Sequence, residues 1–271
     1  MQLTEHVYVE TGLAGSNVGY IVTDMGVVMV DTPYRPTDAV AVRRDIEEKG
    51  ELRYLINTEP HDDHYAGCYF YDVPAIAQEQ TREVMLSADI PKIKNTVAVI
   101  DPEGYSLMDD YCLNLPSITF SERMALYMGH HCIQLIHLPG HTVSQTAVFI
   151  PEEKVVFTGD NVTYQIKGFL HEADPFAWLR SLKRIAALDV AHIVPGHGEV
   201  CDKGYLKEQE EYVQGAIDAV KAAIGKGMSR EEAMGKVDFP SPYPLDEGTE
   251  EIAEGMLRMA VGNLYDRIKG K

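Results

Sequence analysis

The chain has 271 residues, 45% of them hydrophobic, which is enough to bury one large core. Forty-two acidic residues against 24 Lys and Arg leave a formal charge of −18, and a surface of that sign repels polyanions, so nucleic acid is not expected as a partner. No apolar run approaches the ~18–20 residues that span a bilayer, and Met1–His6 lacks the basic and apolar regions of a secretory signal. The expectation is a cytoplasmic protein with no membrane partner. Cys68, Cys112, Cys132 and Cys201 show no Cys-x-x-Cys spacing and are expected as buried free thiols in a reducing compartment.

Apolar stretches at Val7–Val9, Gly19–Val22 and Val27–Val30, separated by Gly and Asp-Met-Gly turns, predict an opening β-meander. Pro36-Thr37-Asp38 starts a helix to about Lys49, with Ala39, Val42 and Ile46 on one face. A strand over Leu52–Thr58 leads into a helix that begins near Asp63. Residues 74–116 have no clear period and, with Pro91, Pro102 and Gly104, suggest an insert beside a binding rim. Strands resume at Ile118–Phe120, Ala125–Met128, Cys132–His137, Thr146–Ile150 and Lys154–Phe157. Asp174-Pro175 is a helix start, placing Trp178, Leu182 and Ile185 inward. Tyr205, Tyr212, Val213, Ile217, Val220 and Ile224 recur at helical spacing up to Gly225 and Gly227. Ser229-x-x-Glu232 has the form of a capping box. A last helix from about Glu250 carries Met256, Met259 and Leu264 as core or interface residues.

Four apolar runs end at residues able to hold metal. Leu52–Ile56 precedes Glu59-x-His61-x-Asp63-His64, and Ile133–Ile136 precedes His141 in LPGHT. Val155–Phe157 precedes Asp160 in FTGD, and His192–Val194 precedes His197 in VPGHG. As buried strands, these runs deliver every candidate ligand to the same rim of a sheet. Imidazoles and carboxylates converging in this way are what a two-metal hydrolytic centre needs. No Gly-x-Ser-x-Gly elbow or Walker loop is present, so serine acyl transfer and P-loop chemistry have no support.

The order, spacing and strand-end settings of these residues resemble the metallo-β-lactamase-fold hydrolases. Their signature is His-x-His-x-Asp-His with a later His, a bridging Asp and a last His. Six of its seven positions match, and Glu59 stands where the first His is expected. The resemblance spans roughly residues 5–200, including Gly15-Ser16-Asn17 and Val30-Asp31-Thr32. It implies an α/β fold, a four-layer αββα sandwich over residues 1–200, with a C-terminal helical extension over 201–271 packed on the same domain or used in a homodimer. It also implies that Glu59, His61 and His141 hold one divalent ion and that Asp63, His64 and His197 hold a second, with Asp160 bridging them. Asp63 doubles as the catalytic proton acceptor, and Asp31 is a hydrogen-bonding support.

Zinc is the first expectation for both ions, with iron or manganese as alternatives, because Glu59 adds a hard oxygen ligand and one negative charge. Three roles for Glu59 stay open: ligand of the first ion, cause of a weakly occupied first site, or a base turned away from it. Tyr164 and His171, on the loop that leaves Asp160, are candidates for the substrate pocket wall, while His130, His131, His137 and His192 read as structural.

The function implied is hydrolysis of a carbonyl ester, thioester, lactone or amide of a small molecule. Glyoxalase-II-type thioesterases and lactonases of the resembling family carry Asp at the position of Asp160, which favours those bonds over β-lactams. Two other readings compete. A diiron redox enzyme of the same fold places its extra Glu at the second motif position, here His61, and needs a flavodoxin domain for which the chain has no length. A metal-binding protein without catalysis is motivated by Glu59 and opposed by the six intact positions.

Overall fold

The computed structural model describes residues 1–239, 241, 243 and 250–270, the side chains of 250–252 excepted. Strands β1 (Val7–Glu10), β2 (Val18–Thr23) and β3 (Gly26–Val30) form an antiparallel meander. Strands β4 (Leu52–Asn57), β5 (Ala75–Gln78) and β6 (Ile118–Phe120) add to it in parallel, giving a six-stranded sheet in chain order. The second sheet runs from β7 (Arg123–Met128) through β8 (His131–His137) and β9 (Thr146–Ile150) to β10 (Val155–Phe157), all antiparallel. Strand β11 (His192–Val194) pairs in parallel with β10 at its edge.

Alternation of side chains along each strand decides which layer each residue joins. Val28 and Val30 of β3, Ile56 of β4, Ile133 and Leu135 of β8, Val148 and Ile150 of β9, and Val155 and Phe157 of β10 fill the space between the sheets. The intervening residues point outward under helices. Val27, Met29 and Leu55 meet Ala39, Val42 and Ile46 of α1 (Pro36–Lys49). Ile136, Ala147, Phe149, Val156 and Ile193 meet Trp178, Leu182 and Ile185 of α5 (Pro175–Ala186). This order of helix, sheet, sheet and helix is the four-layer αββα sandwich. Val213, Ile217 and Val220 of α6 (Leu206–Gly225) and Val261 and Leu264 of α8 (Glu250–Lys269) share the core of α5.

Local chemistry accounts for the helix starts. Asp174 Oδ1 accepts from the backbone N–H groups of Phe176 and Ala177 at 3.0 Å each, with Pro175 in the first turn of α5. Ser229 and Glu232 form the capping box of α7 (Arg230–Lys236).

Residues 75–108 are more ordered than their sequence suggests. Beyond β5 they form α3 (Glu79–Met85) and α4 (Ile90–Ile100), which follow α2 (Asp62–Tyr65) in the chain. Their buried residues, Met85, Ile93 and Val97, join Tyr34, Tyr65, Met108 and Tyr111 in a small separate core. Elements this short carry only one or two buried positions each, too few for a period to show.

Two expectations need correction. Of the four free cysteines only Cys68 is buried, and Cys112 is exposed because it lies in the irregular stretch before β6. Met259, expected in the core or at an interface, is 56% exposed and so is not part of the core.

Trp178 is fully buried, and its indole N–H donates to the Asn161 carbonyl at 2.9 Å, tying α5 to the loop that carries Asp160. Trp178→Ala is expected to lower folding stability by about 3–5 kcal/mol through the cavity it leaves, read from a shifted urea midpoint at unchanged slope.

Candidate metal centre

The seven motif residues sit on the segments that follow the C-terminal ends of β4, β8, β10 and β11, with Asp63 and His64 in α2, and the turn after β3 supports them. Asp31, directly after β3, adopts φ 56°, a left-handed conformation that few non-glycine residues take and that its own side-chain hydrogen bonds stabilise. Its Oδ1 accepts from the Thr58 backbone N–H at 2.8 Å, its Oδ2 accepts from Thr58 Oγ1 at 2.6 Å, and Oδ2 also lies 3.0 Å from His64 Nδ1. This carboxylate fixes the imidazole so that His64 Nε2 faces the centre, the usual arrangement behind a metal-binding histidine.

Gly15-Ser16-Asn17 clamps two of the loops together. Ser16 Oγ donates to the Asp63 carbonyl at 3.0 Å, and Asn17 Nδ2 donates to the carbonyls of Pro195 and Gly198 at 3.0 and 2.7 Å. Asn161 does the same for His141, accepting from its backbone N–H at 3.0 Å.

The donor atoms gather into two triads. In Glu59, His61 and His141 one donor atom from each lies within 4.8 Å of the others, and the same holds for Asp63, His64 and His197. Within the first triad Glu59 Oε2 is 2.5 Å from His61 Nδ1 and 3.9 Å from His141 Nε2. Within the second, Asp63 Oδ2 is 3.2 Å from His197 Nε2. Asp160 stands between them. Its Oδ1 is 3.3 Å from His64 Nε2 and 3.4 Å from His197 Nε2, and its Oδ2 is 3.6 Å from His141 Nε2.

Glu59 is fully buried and does not turn away. Its Oε1 accepts the Asp160 backbone N–H at 3.1 Å, which leaves Oε2 directed at the first triad.

Two buried carboxylates, Glu59 and Asp160, with the partly exposed Asp63 beside them, require compensating positive charge. Burial raises the pKa of Asp160, yet His197 and His64 outweigh it and hold this carboxyl well below the ordinary range. Asp63 is likewise lowered against burial, by His64 and His197, and Glu59 by His64. In turn His61 and His64 are raised well above the usual imidazole value against the pull of burial, mainly by Glu59, and His197 is raised to about 10 by Asp160. His141 is lowered, because burial there exceeds the attraction of Glu59.

Protons on three histidines are one way of supplying the charge, and divalent cations on neutral imidazoles are another. The donor set fits cations. Glu59 Oε2, His64 Nε2 and Asp160 Oδ1 are buried without a hydrogen-bond partner, each directed into the cluster.

Tyr164 and His171 part company. His171 stacks on His61 with ring centroids 5.9 Å apart, at the edge of the cluster. Tyr164 is not brought to it. Its backbone N–H pairs with the His197 carbonyl, and its ring packs 4.7 Å from Tyr205 in a groove lined by Ala191, Val200 and Glu208. After Asp160 the chain runs beside the segment beyond β11, Thr163 bridging His197 in parallel, and the Tyr164 ring lies against Tyr205 and not at the cluster.

Glu172 is the residue that sequence reasoning missed. Its Oε2 is 3.5 Å from His61 Nε2, and contact with His61 lowers its carboxyl to about 2. A charged residue on a loop gives no signal in one sequence. Its neighbour His171 was the available pointer.

A cluster of this donor type at the strand ends of an αββα sandwich is suited to hold divalent cations. Residues 94–197, which include His141, Asp160 and His197, match the model of the metallo-beta-lactamase superfamily. A hydroxyacylglutathione hydrolase of Brucella ovis is 26% identical over 240 residues, covering 86% of this chain and 80% of its own. That of Brucella anthropi is 25% identical over 227 residues, covering 81% and 73%. Among solved structures, a metallo-beta-lactamase from Pontibacter korlensis has the same fold with TM-score 0.63 at 19% identity, over 79% of this chain and 97% of that one. Over residues 94–197 the chain thus matches the metallo-beta-lactamase superfamily, the relatives it resembles in sequence are hydrolases, and its fold is that of a metallo-beta-lactamase.

Two substitutions probe the centre. A Cβ on Gly196 would collide with Asp160 Oδ1 and the Gly159–Asp160 backbone. Gly196→Ala is therefore expected to displace Asp160 and reduce bound metal per chain, by elemental analysis, while circular dichroism stays native. Glu172→Gln is expected to weaken the first triad's hold on zinc by about 10-fold or more, measured by competition with a chromophoric chelator.

Proposed function

We propose that this hydrolase cleaves an acyl thioester or lactone of a small molecule, using two divalent cations held by Glu59, His61 and His141 and by Asp63, His64 and His197, with Asp160 shared. Zinc is the first candidate, with iron or manganese compatible with the oxygen-rich set. The observation that carries this reading is the orientation of Asp160, whose two oxygens face one triad each.

Bound cations would supply Lewis acidity, lowering the pKa of water and polarising a carbonyl. The chain's own groups do the rest. Asp31 locks His64, and Glu172 backs His61. Asp63 is partly open to solvent, which places its Oδ2 to take a proton from an attacking water at the rim. With Glu59 in place of an imidazole, the loaded centre would carry one unit less positive charge and would lower the pKa of water less.

Hydroxyacylglutathione hydrolases among the relatives support the thioester bond as the target. The glutathione moiety is less well supported. The rim carries Glu172 and Asp62, and Lys92 is paired with Asp62 at 3.5 Å, a setting that suits neutral or cationic acyl compounds better than anionic ones.

A panel of esters, thioesters, lactones and β-lactams tests the reading. Chelation is expected to abolish turnover and zinc, manganese or ferrous salt to restore it. Asp63→Asn and His61→Ala are expected to lower kcat/KM by about 10²-fold or more on the preferred member. A metal-loaded wild type that is as inert as both variants across the panel would overturn the proposal.

A further inference from the structure

We propose that His6, His131 and Glu153 form a separate binding site for one transition-metal cation, zinc, nickel or copper in class, at the opposite end of the sandwich from the hydrolytic centre. Strand β8 begins at His131 and leads toward His141 at its other end, and Glu153 lies in the turn between β9 and β10. His6 directly precedes β1. The site therefore joins the first strand of one sheet to the second sheet.

Its geometry is that of converging ligands. Glu153 Oε1 lies 2.8 Å from His6 Nδ1 and 3.1 Å from His131 Nε2, and the three donor atoms all fall within 4.8 Å of one another. Neighbouring ligands on a tetrahedral zinc ion stand about 3.3 Å apart when the bonds are about 2.0–2.1 Å. The two imidazoles meet at 67° with centroids 4.8 Å apart, so their ring nitrogens converge on the carboxylate and the rings do not stack. Thr4 Oγ1 donates to the other carboxylate oxygen, Oε2, and keeps Oε1 turned toward the histidines, the kind of support found behind metal ligands.

Burial is graded. The side chains of His131 and Glu153 are 6% and 10% exposed, while that of His6 is 37% exposed, leaving one open side for a water or fourth ligand. Two neutral imidazoles and one carboxylate favour borderline metals over magnesium and calcium, which require more oxygen ligands. The position of the three residues, between the segment that precedes β1 and the second sheet, suits a structural role for the cation. It would pin the start of β1 to the second sheet and stabilise the folded state by mass action.

The test is zinc stoichiometry of the full chain at buffered micromolar free zinc, comparing wild type with His6→Gln and with Glu153→Gln, which keeps the carboxylate's shape. Wild type is expected to hold one equivalent more than either variant, to show a larger zinc-dependent rise in Tm, and to hydrolyse substrate at the same rate. The comparison is repeated with His61→Ala and His64→Ala introduced together. The difference of one equivalent is expected to survive there, which separates this site from the hydrolytic one. Equal zinc content in wild type and Glu153→Gln at every free zinc level would overturn the proposal and leave the three residues as a hydrogen-bonded clamp.

Discussion

Glu59, Asp63 and Asp160 lie close together at the edge of the sandwich, two of them buried, and carboxylates so placed require cations or protonated partners close by. The surrounding architecture answers that constraint. Four histidines reach in from three loops, the Asp160 amide N–H is donated to Glu59, and Asp31 is held in a left-handed conformation so that one more carboxylate can steady His64 from behind. Such an arrangement is costly in a protein that only has to fold. In a hydrolase it is a source of concentrated, oriented charge.

The rigid part of the molecule is well separated from the reactive part. Valines and isoleucines between the sheets fix where β3, β4, β8, β10 and β11 end, and those ends fix the loops to within the reach of a hydrogen bond. Ser16 and Asn17 then bind loops from the two halves to each other. The ligands of each triad come from both sheets, so neither triad exists until the sheets have packed. Metal affinity and sandwich formation are therefore linked, each favouring the other.

Glu59 changes the character of the centre more than its position. The imidazole expected there would be neutral and would offer one nitrogen. The carboxylate offers two oxygens, one turned to the first triad and one bound to the backbone of the shared Asp160, so that the two triads are coupled through a main-chain hydrogen bond. The same residue thus lowers the net charge of the centre and stiffens it.

The strands, the α1 and α5 helices, the capping box and the identity of all seven clustered side chains were legible in the sequence, because strand alternation, helix period, caps and metal-ligand types are local properties. The short elements between 75 and 108 were not, since their burial comes from contacts with Tyr34, Tyr65 and Tyr111 and not from their own period. Tyr164 and Glu172 mark the boundary most clearly. Both lie on one loop after Asp160, and sequence distance favoured the first. Whether that loop turns its tyrosine toward Tyr205 and its glutamate toward His61 depends on how the loop packs against β11 and α6. The same holds for His6, His131 and Glu153, which lie 125 and 22 residues apart along the chain and meet only because two sheets pack face to face. The chain alone determined which chemical groups were available and on which secondary-structure elements. Tertiary packing decided which of them touch, because contact between residues far apart is set by the buried faces of the sheets and not by their neighbours in sequence.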